Sequence, residues 1–480
     1  MIATLDRMID RFVADRPDRR APRLLLAAAV LTMGQAIAAW SAFDGRPFLP
    51  WLAASLLLLC AATVGDRLDP LLSGDSSDRS LRLLLAAGIV VGAITILTSP
   101  NALPTPAVDG AVIRWGDART LVLLAMVVGL SGLMDRPPLG RLHLPVLLGI
   151  VLVLGLWAVA TNPWPAVDVF FFARDAGIHL GRLVEPYGQT ITNIYGSTVY
   201  YGEGFATAER VLIGNPYPPV PVLVTSAGQI LLNEPRVGLV LAFVAAGGVI
   251  ASIRRDALGR GAAALFLLTP AFPFLLREAF VDPVAILLLA ATVAAARRSP
   301  RATALFLGLF LFAKQTCLIA LPLIPFLVAG ARPRREVLRI TVLALATMGI
   351  VLLPFLLWDA TALLRATVLF HLASPFRPDT LGFGPAIAQT LGSLPTWLTA
   401  LPVLAMLLVI LVRGAWTPAG FAAGTGTLLF VLAAFAKQGF PNYYFLVIGA
   451  LCTAIAAARP EPVSAREAAS PTMTGGGRTP

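Results

Sequence analysis

Apolar residues in this chain come in long unbroken runs, not in alternation with polar ones. Runs at 22–42, 48–64, 81–98, 120–134, 144–160, 236–252, 262–276, 281–296, 301–314, 316–330, 337–357, 395–412, 418–435 and 444–457 are separated by polar or basic punctuation. Most are roughly 15–20 residues long, which suits helices crossing a hydrocarbon core of ~30 Å. In 144–160 both faces of the helix are apolar, whereas strands of a membrane barrel would alternate. The pattern predicts an all-α, polytopic transmembrane bundle. One further run, 218–232, fits either a crossing or a helix at the membrane surface.

Composition sharpens this picture. The 480 residues are 57% hydrophobic and 13% charged, with mean hydropathy +0.80. A soluble domain carries about 25% charged residues, so a soluble globular enzyme is excluded. The net charge of +11 does not point to nucleic acid, because the basic residues sit at the ends of apolar runs, where they set topology. Cys60, Cys317 and Cys452 all lie inside apolar runs, which argues against a disulfide framework or a Cys-based metal site. The first run follows six arginines and lacks a small-residue cleavage site, so it is expected to be a first helix and not a removed signal peptide.

Charge also orients the chain. Arg7, Arg11, Arg16, Arg19, Arg20 and Arg23 place the N-terminus in the cytoplasm. Five crossings then bring the chain outside near Thr161. If 218–232 crossed, Arg254, Arg255, Arg260, Arg297, Arg298, Arg301, Arg332, Arg334 and Arg335 would all face outward. A surface or re-entrant 218–232 puts them inside, and this arrangement is preferred. It predicts about 14 spans, both termini cytoplasmic, and two large outer loops at 161–235 and 358–394. Residues 1–140, poor in polar groups within their helices, read as an accessory bundle. Residues 141–457 read as the functional region, and 458–480 as a disordered cytoplasmic tail.

Rare residues mark candidate chemistry. Of 37 basic residues only Lys314 and Lys437 are lysines, and both occur in the tetrapeptide Phe-Ala-Lys-Gln, with Gln315 and Gln438. Both lie at predicted outer helix ends. A compact ammonium there suits a phosphate; snorkelling to the interface is the plain alternative. All seven tyrosines fall on the predicted outer side: Tyr187, Tyr195, Tyr200, Tyr201, Tyr217, Tyr443 and Tyr444. They fit a sugar ring or membrane anchoring. Arg277, Glu278 and Asp282 are ionisable groups between two apolar helices, fitting either a site or a structural ion pair. His371, Arg377 and Asp379 add polar groups in the second loop.

The first outer loop opens with a predicted amphipathic helix at the bilayer surface. Asp168, Asp175, His179 and Arg182 share one face, and Val167, Phe170, Phe171 and Ile178 the other. The two aspartates are ~10 Å apart along a helix, too far to act as a pair on one bond. One fits a base and the other an orienting or binding role, while Asp168 also fits a helix N-cap. No His, Asp or Glu cluster has metal-ligand spacing, and the sequence assigns no cofactor; dependence on a divalent metal is left open.

Several short motifs occur in order: Asp168-Val, Glu185-Pro-Tyr187, Asn215-Pro-Tyr217-Pro-Pro219, Asn233-Glu-Pro-Arg236, Arg277-Glu278, the two Lys-Gln pairs and Asn442-Tyr443-Tyr444. Together they resemble the GT-C superfamily of membrane glycosyltransferases, nearest the actinobacterial polyprenol-phosphate-mannose-dependent transferases (glycosyltransferase family 87-like). The resemblance covers about 160–457. It implies sugar transfer from a polyprenyl-phosphate donor to a glycan, lipid or protein acceptor on the outer face of the plasma membrane. It also implies an acidic base in the first outer loop, mapping to Asp168 and secondarily to Asp175. Lys314 and Lys437 are the expected phosphate grips, with Arg277, Glu278, Gln315, Gln438, Tyr217 and Tyr443 as site lining. The main alternative is a transporter or flippase of lipid-linked saccharides, which places its charges nearer the midplane and shows repeated halves. A surface-polysaccharide polymerase or ligase and a non-catalytic assembly protein are the others.

Overall fold

A computed structural model of the protein describes residues 23–40, 46–64, 75–99, 115–328, 333–377, 379–392 and 395–458. The expected disordered tail and the arginines before Arg23 lie outside the described residues, apart from Ala458. Helix dominates, and the described strands β1 (Ile191–Thr192) and β2 (Arg210–Val211) form a single short antiparallel pair.

Every predicted run falls on a helical segment. The first five are α1 (Arg23–Ala38), α2 (Leu49–Val64), α3 (Asp75–Thr98), α4 (Trp115–Ser131) and α5 (His143–Ala160). The loop helices α6 (Asp168–Gly181) and α7 (Pro219–Leu232) follow, then α8 (Arg236–Ile253). The run 262–276 is broken into α9 (Ala257–Leu267) and α10 (Phe272–Arg277) around Pro270, which lacks the N–H that would continue the helix. Helices α11 (Asp282–Ala295) and α12 (Pro300–Leu311) come next. The run 316–330 is a 3-10 helix, Gln315–Leu327, with Pro322 and Pro325 inside it. Such helices rarely exceed one turn. Helix α13 (Pro333–Leu364) breaks at Asp359 (φ −155°, ψ 93°), whose carboxylate accepts from Ala362 N at 2.9 Å and so caps the segment beyond. That segment continues through a π-turn, Arg365–Leu369, into α14 (Phe370–Ala373). The chain finishes with α15 (Phe383–Leu391), α16 (Thr396–Arg413), α17 (Pro418–Phe435) and α18 (Pro441–Ala457).

Among the described residues five helical segments are long and apolar enough to cross a membrane: Asp78–Thr98, Gly140–Ala160, Arg236–Ile253, Arg334–Ala373 and Pro418–Phe435. The outer faces of α13 and α16 leave Leu338, Ile350, Leu357, Leu404 and Leu408 exposed, an apolar surface that calls for lipid. By contrast α18 is buried from Tyr444 through Ala457. It is the central helix, packed by α1, α9, α11 and α17. At its side Phe243 stacks on Phe272 and meets Phe266 and Phe445 at a tilt.

The bundle has two chemically different ends. At one, Arg260 donates to Gly132 O and Met134 O, Arg254 and Arg297 to the carbonyls of Ala458 and Ala457, and Arg82 pairs with Asp135. Arginines there satisfy carbonyls that helix termini leave open. Side chains also start helices at this end: Asp256 caps α9, Ser299 caps α12 and Thr417 caps α17. The other end gathers the loops. Both termini of α7 lie at the loop end, since Pro216 O before it accepts from Gln315 and Arg236 after it donates to Asn162 O and Arg277 O. Arg236 is fully buried, pairs with Glu234 and lies over Phe170.

The loop helix α6 packs along α7. Its buried side is Val169, Phe170, Phe172, Ala173, Ala176 and Gly177, which differs from the expected stripe of Val167, Phe170, Phe171 and Ile178. The reason is close approach. A Cβ on Gly177 would meet Gln229 Cβ at 2.5 Å, so small residues, neutral in an apolar count, define the contact.

Candidate functional site

At the loop end the helix termini enclose a cavity of about 1340 Å³. Eight of the ten residues singled out from sequence line it: Asp168, Tyr217, Glu278, Lys314, Gln315, Lys437, Gln438 and Tyr443. Asp175 does not. It is held by Arg174 at 2.8 Å, and that guanidinium stacks on Trp164 and Phe171. Arg277 also lies off the wall; it pairs with Glu278 at 2.7 Å, the structural pairing weighed from sequence.

Asp168 is the first residue of α6, not its N-cap: Val167 occupies the cap without a side-chain bond. Its carboxylate accepts from Tyr201 Oη at 3.0 Å through Oδ2, while its backbone N–H donates to Tyr195 Oη at 3.5 Å. Among the described residues Tyr201 is the one side chain bonded to this carboxylate, which lines the cavity. Burial raises this carboxyl above its ordinary value, with the Tyr201 bond and the Arg377 charge opposing. Burial, followed by the Asp168 charge, pushes the Tyr195 and Tyr201 phenols up as well. Tyr201 therefore remains a donor to Asp168. Tyr200 packs edge-on against Tyr195, making an aromatic wall beside the carboxylate.

The two Phe-Ala-Lys-Gln motifs meet in this cavity, and their lysines differ. Each motif ends a helix, α12 or α17, and the backbone then turns extended at Lys314 and Ala436. Lys314 is 3% exposed and bonds Asp282 Oδ1 at 2.8 Å; Asp282 is fully buried and takes Asn442 Nδ2 on its other oxygen at 2.8 Å. Lys314 Nζ also sits 3.8 Å from the Tyr443 ring centroid. It does not snorkel; it is enclosed in protein. Asp282 opens α11 at Pro283, where a negative charge favours the helix start. Lys437 reaches the surface of the cavity and donates to Leu372 O at 3.1 Å. The glutamines act alike, Gln315 donating to Pro216 O and Thr367 O, and Gln438 to Pro375 O. They stitch the loops of this end to the helix ends.

The second loop contributes His371, bonded to Pro216 O at 3.1 Å, and Arg377, held bidentately by Asp379 and stacked on Tyr200 and Phe440. Sequence reasoning missed Trp40 and Arg46. They line the cavity from the N-terminal helices, donating to Asp379 O and Ala386 O. Their only signal was position, at the predicted outer ends of the first two runs. Among the described residues no group of three His, Cys, Asp or Glu side chains is placed to hold a metal ion. No protein-family model, no curated protein and no solved structure matches this chain.

Proposed function

We propose that the protein is a multi-pass membrane glycosyltransferase of GT-C type, moving a sugar from a polyprenyl-phosphate donor to an acceptor hydroxyl at the outer face of the plasma membrane. The observation that carries this reading is Asp168: a carboxylate with a raised pKa, bonded by a single side chain, set in a large cavity between an aromatic wall and lysine-bearing helix ends. The Asp168 carboxylate takes the proton from the acceptor hydroxyl. The acceptor oxygen bonds the anomeric carbon as the bond to the phosphate oxygen breaks, with inversion. The phosphate leaves with the electron pair as an anion and needs no general acid, only positive charge placed beforehand.

Helix length supports a site at the lipid–water boundary. Helices α11 and α12, of 14 and 12 residues, are ~21 and ~18 Å long, short of a ~30 Å core. Their loop-end termini, bearing Asp282 and Lys314, then lie below the headgroups, where a lipid-linked donor reaches them and water is scarce. The return of α7 to the end it started from supports the reading of about 14 spans with the arginine-rich end in the cytoplasm.

The test is transfer by purified protein in lipid, offered polyprenyl-phosphate mannose, glucose and arabinose in turn with a membrane extract as acceptor. Transfer that disappears in Asp168→Asn establishes the reaction class. No transfer from any donor by folded protein moves the reading to a transporter or flippase.

A further inference from the structure

The cavity's charges do not contribute equally to binding an anion. Lys314 is cancelled by Asp282, Arg377 by Asp379, and Glu278 by Arg277. Three charged lining residues have no counter-ion among the described residues: the Asp168 carboxylate and the cations Arg46 and Lys437. Each cation makes one bond to a backbone carbonyl, Arg46 to Ala386 O at 3.3 Å and Lys437 to Leu372 O at 3.1 Å. Their other N–H donors are uncommitted among the described residues. The backbones that hold them abut: a Cβ on Gly384 would meet Phe435 O at 2.5 Å and Ala436 O at 2.9 Å, and Leu381 N donates to Gly439 O. Gly384 lies two residues before Ala386, and Ala436 precedes Lys437. Both cations therefore belong to one wall of the cavity.

From this placement we infer that Arg46, contributed by the N-terminal helices, forms with Lys437 the anion-holding wall of the site, and that its ligand is the phosphate of an amphiphile. Lys314 is a positioning residue: it fixes Asp282, and through it Asn442 and the start of α18, and holds the Tyr443 ring. The N-terminal helices are then part of the binding machinery, not an accessory to it. An ion already paired in a buried site gains little from a second anion, whereas an unpaired guanidinium offers bidentate geometry to a phosphate. An amphiphile fits because apolar residues, Leu432, Ala433 and Phe440, border the same wall.

The choice of amphiphile rests on the transferase reading; the anion wall does not. Binding is therefore measured apart from turnover. Full-length protein in detergent is titrated with a short-chain polyprenyl phosphate, the matching uncharged polyprenol and inorganic phosphate. Arg46→Gln and Lys437→Gln are each expected to weaken lipid-phosphate binding about tenfold, as for one charge-assisted hydrogen bond lost, and to flatten its salt dependence. Polyprenol binding should not change. Unaltered lipid-phosphate affinity in Arg46→Gln overturns the assignment, and so does an equal loss for the uncharged polyprenol, which marks a structural defect. Arg46→Lys, which keeps the charge, should restore most of the affinity. Inorganic phosphate binding as tightly as the lipid overturns the amphiphile as ligand. Protein that binds by these rules but transfers nothing refutes the transferase and leaves the anion wall standing.

Discussion

Single residues in this cavity are set by what neutralises them. Asp168 is kept available by having a phenol as its one side-chain partner among the described residues, and burial raises its pKa. A raised folded pKa means that the charged form destabilises the fold above the unfolded value, and the penalty reaches its full size as pH rises through the folded pKa. Asp168→Asn is thus expected to lower transfer by about 10²–10⁴-fold, as for loss of a general base, while melting temperature at neutral pH stays level or rises. The same shift puts the acid limb of the wild-type pH–rate profile above the ~3.9 of an ordinary aspartate; a limb at or below that value contradicts the base assignment. Lys314 behaves oppositely. Lys314→Met leaves Asp282 buried and unpaired and is expected to cost ~3–5 kcal/mol, read as lost thermal stability. Lys314→Met with Asp282→Leu should recover most of that loss. Failure of the double variant to recover assigns the Lys314 effect to something other than the pair.

At the scale of elements, the site is made by helices that stop early. The two Phe-Ala-Lys-Gln motifs end α12 and α17 at the cavity, and their glutamines bond its loops. The break of α13 at Asp359 and the π-turn after it carry Thr367 and His371 to the same place. Helix α6 is positioned by its glycine-bearing contact with α7. Gly177→Val would drive two extra carbons beyond a Cβ that already meets Gln229, for ~1–3 kcal/mol of overpacking. Because α6 begins at Asp168, the expected result is folded protein with transfer reduced more than donor binding. Equal losses in both would mean that α6 does not set the position of the carboxylate.

The whole molecule divides its polarity between two ends. Arginines bonded to helix carbonyls mark one, and the cavity, with its aromatic, carboxylate, lysine and arginine side chains, marks the other. In a cysteine-free background, Val199→Cys and Leu232→Cys should react with a membrane-impermeant thiol reagent from outside. Arg136→Cys should react only after permeabilisation. Labelling of Leu232→Cys from the cytoplasmic side alone would make α7 a crossing and reverse the orientation of everything after it.

Much of this was readable along the chain, because lipid solvation imposes long apolar runs and each run became a helical segment. The broken run at Pro270 and the 3-10 helix around Pro322 and Pro325 were not anticipated, since an apolar count does not weigh the loss of backbone donors. Scarcity was an equally good guide to the site: the only lysines in the chain line one cavity. What scarcity did not reveal was pairing. Whether Lys314 is free or cancelled depends on Asp282 and Asn442, 32 and 128 positions away, and Arg46 reaches the cavity only because Trp40 and Arg46 dock on the second large loop. Local sequence determines which segments leave water, since that depends on each segment's own side chains. Which charge remains uncompensated is a property of contacts between distant segments, and only the tertiary structure decides it.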